Sequence, residues 1–217
     1  MRPWYHGALP EVNVPVLPMF PLATVLLPHM ALPLHVFEPR YRALMDDVHG
    51  ATDEFGITLI TRGAEVGGGD DRARVGTVAR IMQAEQLDDG RWLMITLGTR
   101  RFRVDRWLDD APYPRAEITH LDEPEVADDH LTRLQDLRPR LRDVLQLHAL
   151  VSGASDADLE DLPDDPDLAC WMPAVVAPLG DLDAQRILEA DDWTRRLDVL
   201  ETSLDDLHDA LTFQLDA

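Results

Sequence analysis

The sequence predicts an α+β protein: a β-barrel, closed or half-closed and carrying one helix, followed by an α-helical bundle. Three observations predict it. Up to about residue 120 the apolar runs are short and several alternate with period two. From about residue 123 they recur at three- and four-residue steps, the spacing of helix faces. The charge also divides there, with 16 acids against 13 Arg in residues 1–120 and 25 acids against 7 Arg in residues 121–217. The expected units are therefore 1–122 and 123–217.

Three proline-bearing pieces, at 17–22, 25–28 and 32–37, come first. Proline donates no ladder hydrogen bond, so these pieces are expected at edges, strand ends or bulges, wrapping the sheet rather than forming its centre. Glu38-Pro39 then opens a helix, with Tyr41, Leu44, Met45 and Val48 on one face and Gly50 as the stop. A strand is expected at 55–60, and a loop at 62–74 around Gly67-Gly68-Gly69-Asp70-Asp71. As a phosphate cradle that loop lacks a lysine and a GxGxxG spacing, and a hairpin tip is the preferred reading.

Strands at 75–82 and 92–97 flank Asp88-Asp89-Gly90, a hairpin signal. Residues 101–105 and 115–119 alternate with period two and complete the β half.

In the second half Leu131, Leu134, Leu141, Leu145 and Leu147 follow a helical pattern that Pro139 is expected to kink or divide. Residues 156–167 form an acidic connector, and Pro166 starts a helix carrying Leu168, Trp171, Met172 and Val175 as far as Pro178. Asp181 is the expected cap of a helix over 182–190. Last, Trp193, Leu197, Leu200, Leu204, Leu207 and Leu211 step by four and three along one seam. Such a seam needs a partner: most simply the other helices, alternatively a second copy in a homodimer, so both monomer and dimer stay open.

Composition excludes several chemistries. The 20 basic residues are all Arg, so this sequence has no P-loop lysine, no Schiff-base lysine and no Ser-Lys dyad. A formal charge of −21 disfavours phosphate backbones and anionic membrane surfaces, so neither nucleic acid nor membrane is an expected partner. Lysine is absent and Asn13 is the single asparagine; both use A-rich codons, so a G+C-rich genome accounts for the pattern. Cys170 is the single cysteine, expected as a small buried residue beside Trp171. Residues 12–37 carry no charge, but Pro15, Pro18, Pro21, Pro28 and Pro33 deny them a membrane helix and a signal-peptide core. A cytoplasmic protein is expected.

Met19-Phe20-Pro21-Leu22, Leu27-Pro28, Leu32-Pro33-Leu34 and Phe37-Glu38-Pro39-Arg40-Tyr41-Arg42 resemble the opening of the Lon protease N-terminal, substrate-binding domain. Residues 75–81, the Asp-Gly turn, Gly98-Thr99-Arg100-Arg101-Phe102-Arg103-Val104 and Pro114-Arg115-Ala116-Glu117 resemble its successive strands in order. Residues 184–189 and Arg195-Arg196-Leu197 are similar to its helical tail. The resemblance implies a PUA-like β-barrel with an α-helical bundle, in a stand-alone bacterial member lacking the ATPase and peptidase domains. It implies a noncatalytic polypeptide-binding module, an adaptor in protein quality control or proteolysis. Its partners would be unfolded or extended clients and a cellular protease or chaperone.

The candidate contacts are Phe20, Pro21, Leu22, His35, Phe37, Glu38 and Tyr41, on a surface expected at the barrel–bundle junction. Phe37 is expected inside, so that truncating it would cost about 3–5 kcal/mol whatever the protein binds. His35 with Glu38, and His120 with Asp122, offer two metal ligands each, too few to close a shell, and no cofactor is expected. The acidic run 156–161 begins like a calcium loop but has Asp161 where the turn needs glycine. Arg100, Arg101, Arg103, Arg106 and Arg115 are the one basic concentration. Pairing with the acidic helical half is the preferred account of them, with a barrel that binds RNA or a small ligand as the alternative.

Overall fold

The computed structural model describes residues 15–62, 71–153 and 163–216. In chain order the elements are β1 (Val16–Pro18), β2 (Ala31–Val36), α1 (Pro39–Val48), β3 (Glu54–Arg62), β4 (Asp71–Gln86), β5 (Trp92–Leu108) and β6 (Arg115–His120). The helices α2 (Asp128–Ser152), α3 (Pro166–Val176), α4 (Asp181–Glu189) and α5 (Trp193–Leu215) follow. The strands form one antiparallel sheet in the order β1-β6-β5-β4-β3, with β2 paired to β5. Parallel bridges from Met19 to Gly56 and from Leu22 to Leu59 join the chain after β1 to β3 and close the sheet into a barrel.

That closure corrects the role expected of the proline-rich opening: residues 17–22 are the staple of the barrel rather than its wrapping. The Phe20 amide donates to the Gly56 carbonyl at 2.7 Å and the Leu22 amide to Thr58 at 3.0 Å, while Ile60 donates to Leu22 at 2.7 Å. Pro18 and Pro21 alternate with these donors, so the N–H groups they lack are not needed for the seam.

β5 is one 17-residue strand, where separate strands at 92–97 and 101–105 were expected. It pairs with β4 along one edge and serves two neighbours on the other, β2 near its start and β6 near its end. Register shifts at Thr77/Ala79, Ile81/Gln83 and Val104/Arg106 bend the long strands. Gly98 lies where the 26–27 segment crosses: a Cβ there would stand 2.1 Å from the Leu27 carbonyl oxygen, so only glycine fits. The hairpin turn forms as expected, with the Gly90 amide donating to Leu87 at 2.8 Å and Gly90 in the left-handed region at φ 79°. β4 already begins at Asp71, so 71–74 is strand rather than loop; Gly67, Gly68, Gly69 and Asp70 lie outside the described residues, as does the acidic run 156–161.

α1 buries Tyr41, Leu44, Met45 and Val48 against Phe20, Leu26, Val36, Phe55, Ile57, Trp92 and Met94. In the helical half α2 runs unbroken through Pro139, whose exposed position leaves the unbonded carbonyl of the preceding turn to solvent. Asp165 caps α3 by accepting from the Leu168 amide at 2.9 Å, and Asp192 caps α5 by accepting from Arg195 at 2.8 Å. Asp181 is the first residue of α4 rather than its cap, which is Gly180.

The seam of α5 is spent inside the chain. Trp193, Leu197, Leu200, Leu204 and Leu211 are buried in one core with Leu134, Leu137 and Leu141 of α2, Trp171 of α3 and Ile187 and Leu188 of α4, with Leu207 packed against it. A dimer built on those side chains would first have to strip them from this core. Val25, Leu27, Leu59 and Ala73 of the barrel belong to the same cluster, so bundle and barrel share it.

Candidate functional site

The expected contact residues separate into two groups. Phe20, Pro21, Leu22 and Tyr41 are buried, with the Phe20 ring 4.0 Å from Tyr41 and 6.0 Å from Phe55 between centroids. They hold α1 on the barrel and present nothing to a partner. Glu38 is half-buried and accepts a hydrogen bond from Arg40 Nε at 3.0 Å. His35 and Phe37, 5.9 Å apart between ring centroids, are exposed. Phe37 is 54% exposed, which overturns its expected burial: β2 turns Val36 fully inward and Leu32 and Leu34 partly so, leaving Pro33, His35 and Phe37 outside.

Outside β2 lies a groove of about 710 Å³ lined by residues of β2, β4 and β5. Its floor is two rows set by strand pairing. In one, Pro33 faces Ile95 and Ile95 faces Gln83; in the other, His35 faces Leu93 and Leu93 faces Glu85. Leu93 and Ile95 are 44% and 43% exposed. They face outward because Trp92, Met94 and Thr96 take the inner positions, where the Thr96 hydroxyl donates to the Leu32 carbonyl at 3.0 Å. Gln83 and Glu85 reach this face through the register shift beside Met82, which moves them out of step with Arg80 and onto the outer side. β2 pairs only with β5, so its far edge has no strand partner among the described residues.

The sequence reasoning missed Leu93, Ile95, Gln83 and Glu85. The signal present was the hairpin around Gly90, which brings 83–86 and 92–95 together, but the apolar run 92–97 does not say which of its faces is inner.

The barrel–bundle junction holds a different arrangement. Glu123 accepts from Arg101 Nε and from an Arg196 terminal nitrogen, both at 2.6 Å, and each Arg side chain is only 2% exposed. Arg101 also donates to the carbonyls of Leu188 at 2.8 Å and Ala190 at 3.0 Å, satisfying the end of α4. The Arg196 guanidinium packs against both Trp171 and Trp193, 4.5 and 4.4 Å from the ring centroids. Burial, then the neighbouring Arg101, pushes the Arg196 pKa down from its ordinary value, against the pull of Glu123. The junction expected to expose an apolar surface is thus closed by an ionic clamp.

The other arginines of the basic concentration are engaged mostly within the barrel rather than with the helical half. Arg100 binds Glu54 at 2.7 Å, Arg103 approaches Asp105 at 3.5 Å, and Arg106 pairs with Glu117. The hydrogen bond from Arg100, joined by Arg80, holds the Glu54 carboxyl below its ordinary pKa against the opposing effect of burial. His120 is pushed down by burial and by Arg100. Cys170 is buried, its thiol pushed up to about 12 mainly by desolvation.

Among the described residues no group of three or more His, Cys, Asp or Glu is placed to hold a metal ion, and no helix is long and apolar enough to cross a membrane.

Comparison with known proteins agrees with this architecture. Residues 16–206 match the family model of the ATP-dependent protease La (LON) substrate-binding domain. The Lon protease of Flavobacterium johnsoniae is 30% identical over 128 residues, covering 58% of this chain and 15% of the relative. That of Trichlorobacter lovleyi is 29% identical over 211 residues, 94% of this chain and 26% of the relative. The chain therefore spans about a quarter or less of the length of these relatives.

Among solved structures, a Lon N-terminal domain protein from Xanthomonas campestris superposes with a TM-score of 0.62 at 28% identity, covering 87% of this chain and 98% of that one. The N-terminal domain of Mycobacterium avium complex Lon protease gives 0.64 at 20% identity, covering 88% and 99%, and shows the shared fold. What matches throughout is a substrate-binding domain, which is not itself catalytic. A match over residues 16–206 and a fold shared over 87% of the chain place it in the Lon substrate-binding domain family.

Proposed function

We propose that the protein is a noncatalytic polypeptide-binding module that holds extended or unfolded segments in the groove between β2, β5 and β4. The observation that carries this reading is the pair of exposed apolar side chains, Leu93 and Ile95, in a groove on the outer face of a sheet whose β2 edge has no strand partner among the described residues. Singly exposed apolar residues need no explanation; neighbours on one face, with Pro33 beside them and Phe37 at the end of β2, form a patch. Covering a half-exposed Leu or Ile is worth about 2 kcal/mol, about 4 kcal/mol for the pair, and ordering the client takes back part of the sum, so weak affinities near the millimolar range are expected. Membership of a substrate-binding family supports the same reading.

In this reading residues 1–122 form the recognition unit and residues 123–217 its buttress, in a cytoplasmic adaptor that delivers clients to a cellular protease or chaperone. The test is binding of a fluorescein-labelled, permanently unfolded protein, followed by anisotropy at two salt concentrations. Leu93→Thr with Ile95→Thr keeps strand propensity and leaves the inner face untouched. The double variant is expected to bind at least about tenfold more weakly at both salt concentrations with its thermal unfolding unchanged. Equal binding by the folded double variant, or capture of RNA or one small molecule in place of polypeptide, would refute the assignment.

A further inference from the structure

Resting on the polypeptide-binding reading above, we infer that the groove selects extended segments in which a Lys or Arg accompanies apolar residues, the cation facing Glu85. Among the side chains that line the groove, Glu85 is the one carrying a formal charge near neutrality. It is exposed and has neither an ion-pair nor a hydrogen-bond partner among the described residues. Three arginines of the neighbouring segments already have acidic partners. Arg91 binds Asp89 at 2.7 Å, Arg80 binds Glu54 at 2.8 Å and Arg40 binds Glu38 at 3.0 Å.

The groove therefore presents one uncompensated carboxylate next to two apolar side chains. Glu85 stands across from Leu93, which stands across from His35, so the carboxylate, the apolar contact and a polar ring share one row. Strand neighbours stand about 4.8 Å apart, and side chains on one face of an extended client repeat about every 7 Å. An apolar residue over Leu93 or Ile95 thus leaves the next outward position within reach of Glu85. An acidic client would meet Glu85 unpaired, inside a protein of formal charge −21.

The test uses three nine-residue fluorescein-labelled peptides with serine at every second position and, at the positions between, leucine alternating with Lys, Glu or Ser, so that leucine and the varied residue share one face; each is titrated against the full chain and against Glu85→Gln. The Lys peptide is expected to bind the native protein at least about tenfold more tightly than the Glu peptide. In Glu85→Gln that ratio should fall to within about twofold while the Ser peptide binds as before. Persistence of the full ratio in Glu85→Gln would assign selection to the overall charge and overturn the inference. Equal binding of the Lys and Glu peptides would overturn it while leaving the polypeptide-binding reading in place. No binding of any peptide would overturn both.

Discussion

Replacing Glu123 by Gln leaves two buried guanidiniums, Arg101 and Arg196, facing each other without the carboxylate that separates them. Each is 2% exposed, and Glu123 itself is 26% exposed. Removing one partner from a buried ionic cluster costs about 3–5 kcal/mol, chiefly because the remaining charge cannot return to water. The partial exposure of Glu123 and the carbonyls of Leu188 and Ala190 that still accept from Arg101 place the expected loss at the lower end, about 3 kcal/mol.

With a urea slope of about 2 kcal/mol/M, the unfolding midpoint should drop by about 1.5 M with the slope unchanged. Circular dichroism at 222 nm reports the bundle, and tryptophan fluorescence, to which Trp92 and Trp107 of the barrel and Trp171 and Trp193 beside Arg196 contribute, reports the barrel and the junction; the two curves should fall together because bundle and barrel share a core. Arg106→Gln, at the exposed Arg106–Glu117 pair, is the control and should leave the midpoint where it is. A drop of less than about 0.3 M for Glu123→Gln would show that water reaches the guanidiniums and that the clamp is ordinary surface pairing. Curves that separate would show that the halves unfold independently.

Phe37→Ala should change stability by less than about 1 kcal/mol, since the ring is 54% exposed, whereas Phe20→Ala should cost about 3–5 kcal/mol; thermal unfolding of the two side by side checks it. Glu54 has a folded pKa below its ordinary 4.5, so its contribution is present above that value and is lost as pH falls through the folded pKa; Glu54→Gln should flatten the acid limb of a stability–pH curve there. His120, with a pKa below its ordinary 6.5, binds its proton less readily folded than unfolded; stability should rise with pH through the window just under 6.5, and His120→Asn should remove that rise. Cys170, buried with its thiol pushed up to about 12, should react with a disulfide reagent at the rate of global unfolding, and a fast native reaction would show an opening of α3.

How much of this was legible depended on whether a feature is local. The Asp88-Asp89-Gly90 turn, the α1 face and the α5 seam rest on short-range geometry, and each formed where the spacing put it. The closure of the barrel by Met19, Phe20 and Leu22 did not show, because prolines argue against a strand one residue at a time while the seam uses only the amides between them. The continuity of β5 was hidden by Gly98, which reads as a break and is in fact a crossing point.

The candidate site was the least legible part. In 92–97 the lone polar side chain, Thr96, is the natural choice for the outer face, yet it is buried and bonded to Leu32, which sends Leu93 and Ile95 outward. A one-residue shift beside Met82 then decides where Glu85 points, and register shifts of that kind leave no composition signal.

The same features bear on how an exposed apolar face beside a strand edge without a partner among the described residues is kept from pairing with another copy. Such an edge is a template for self-association, and proteins blunt it with proline, with charge within the apolar row, or with a covering element. Here Pro33 takes an amide out of β2, Glu85 sets a carboxylate in the Leu93 row, and a chain of formal charge −21 repels its own copies. None of these devices excludes a cationic extended segment, and two of them favour it. The groove is therefore protected against the protein's own copies by the chemistry that would admit its clients. Glu85→Gln should accordingly raise self-association at high protein concentration as well as relax peptide selection. Two effects of one substitution are harder to obtain from a residue that merely decorates the surface.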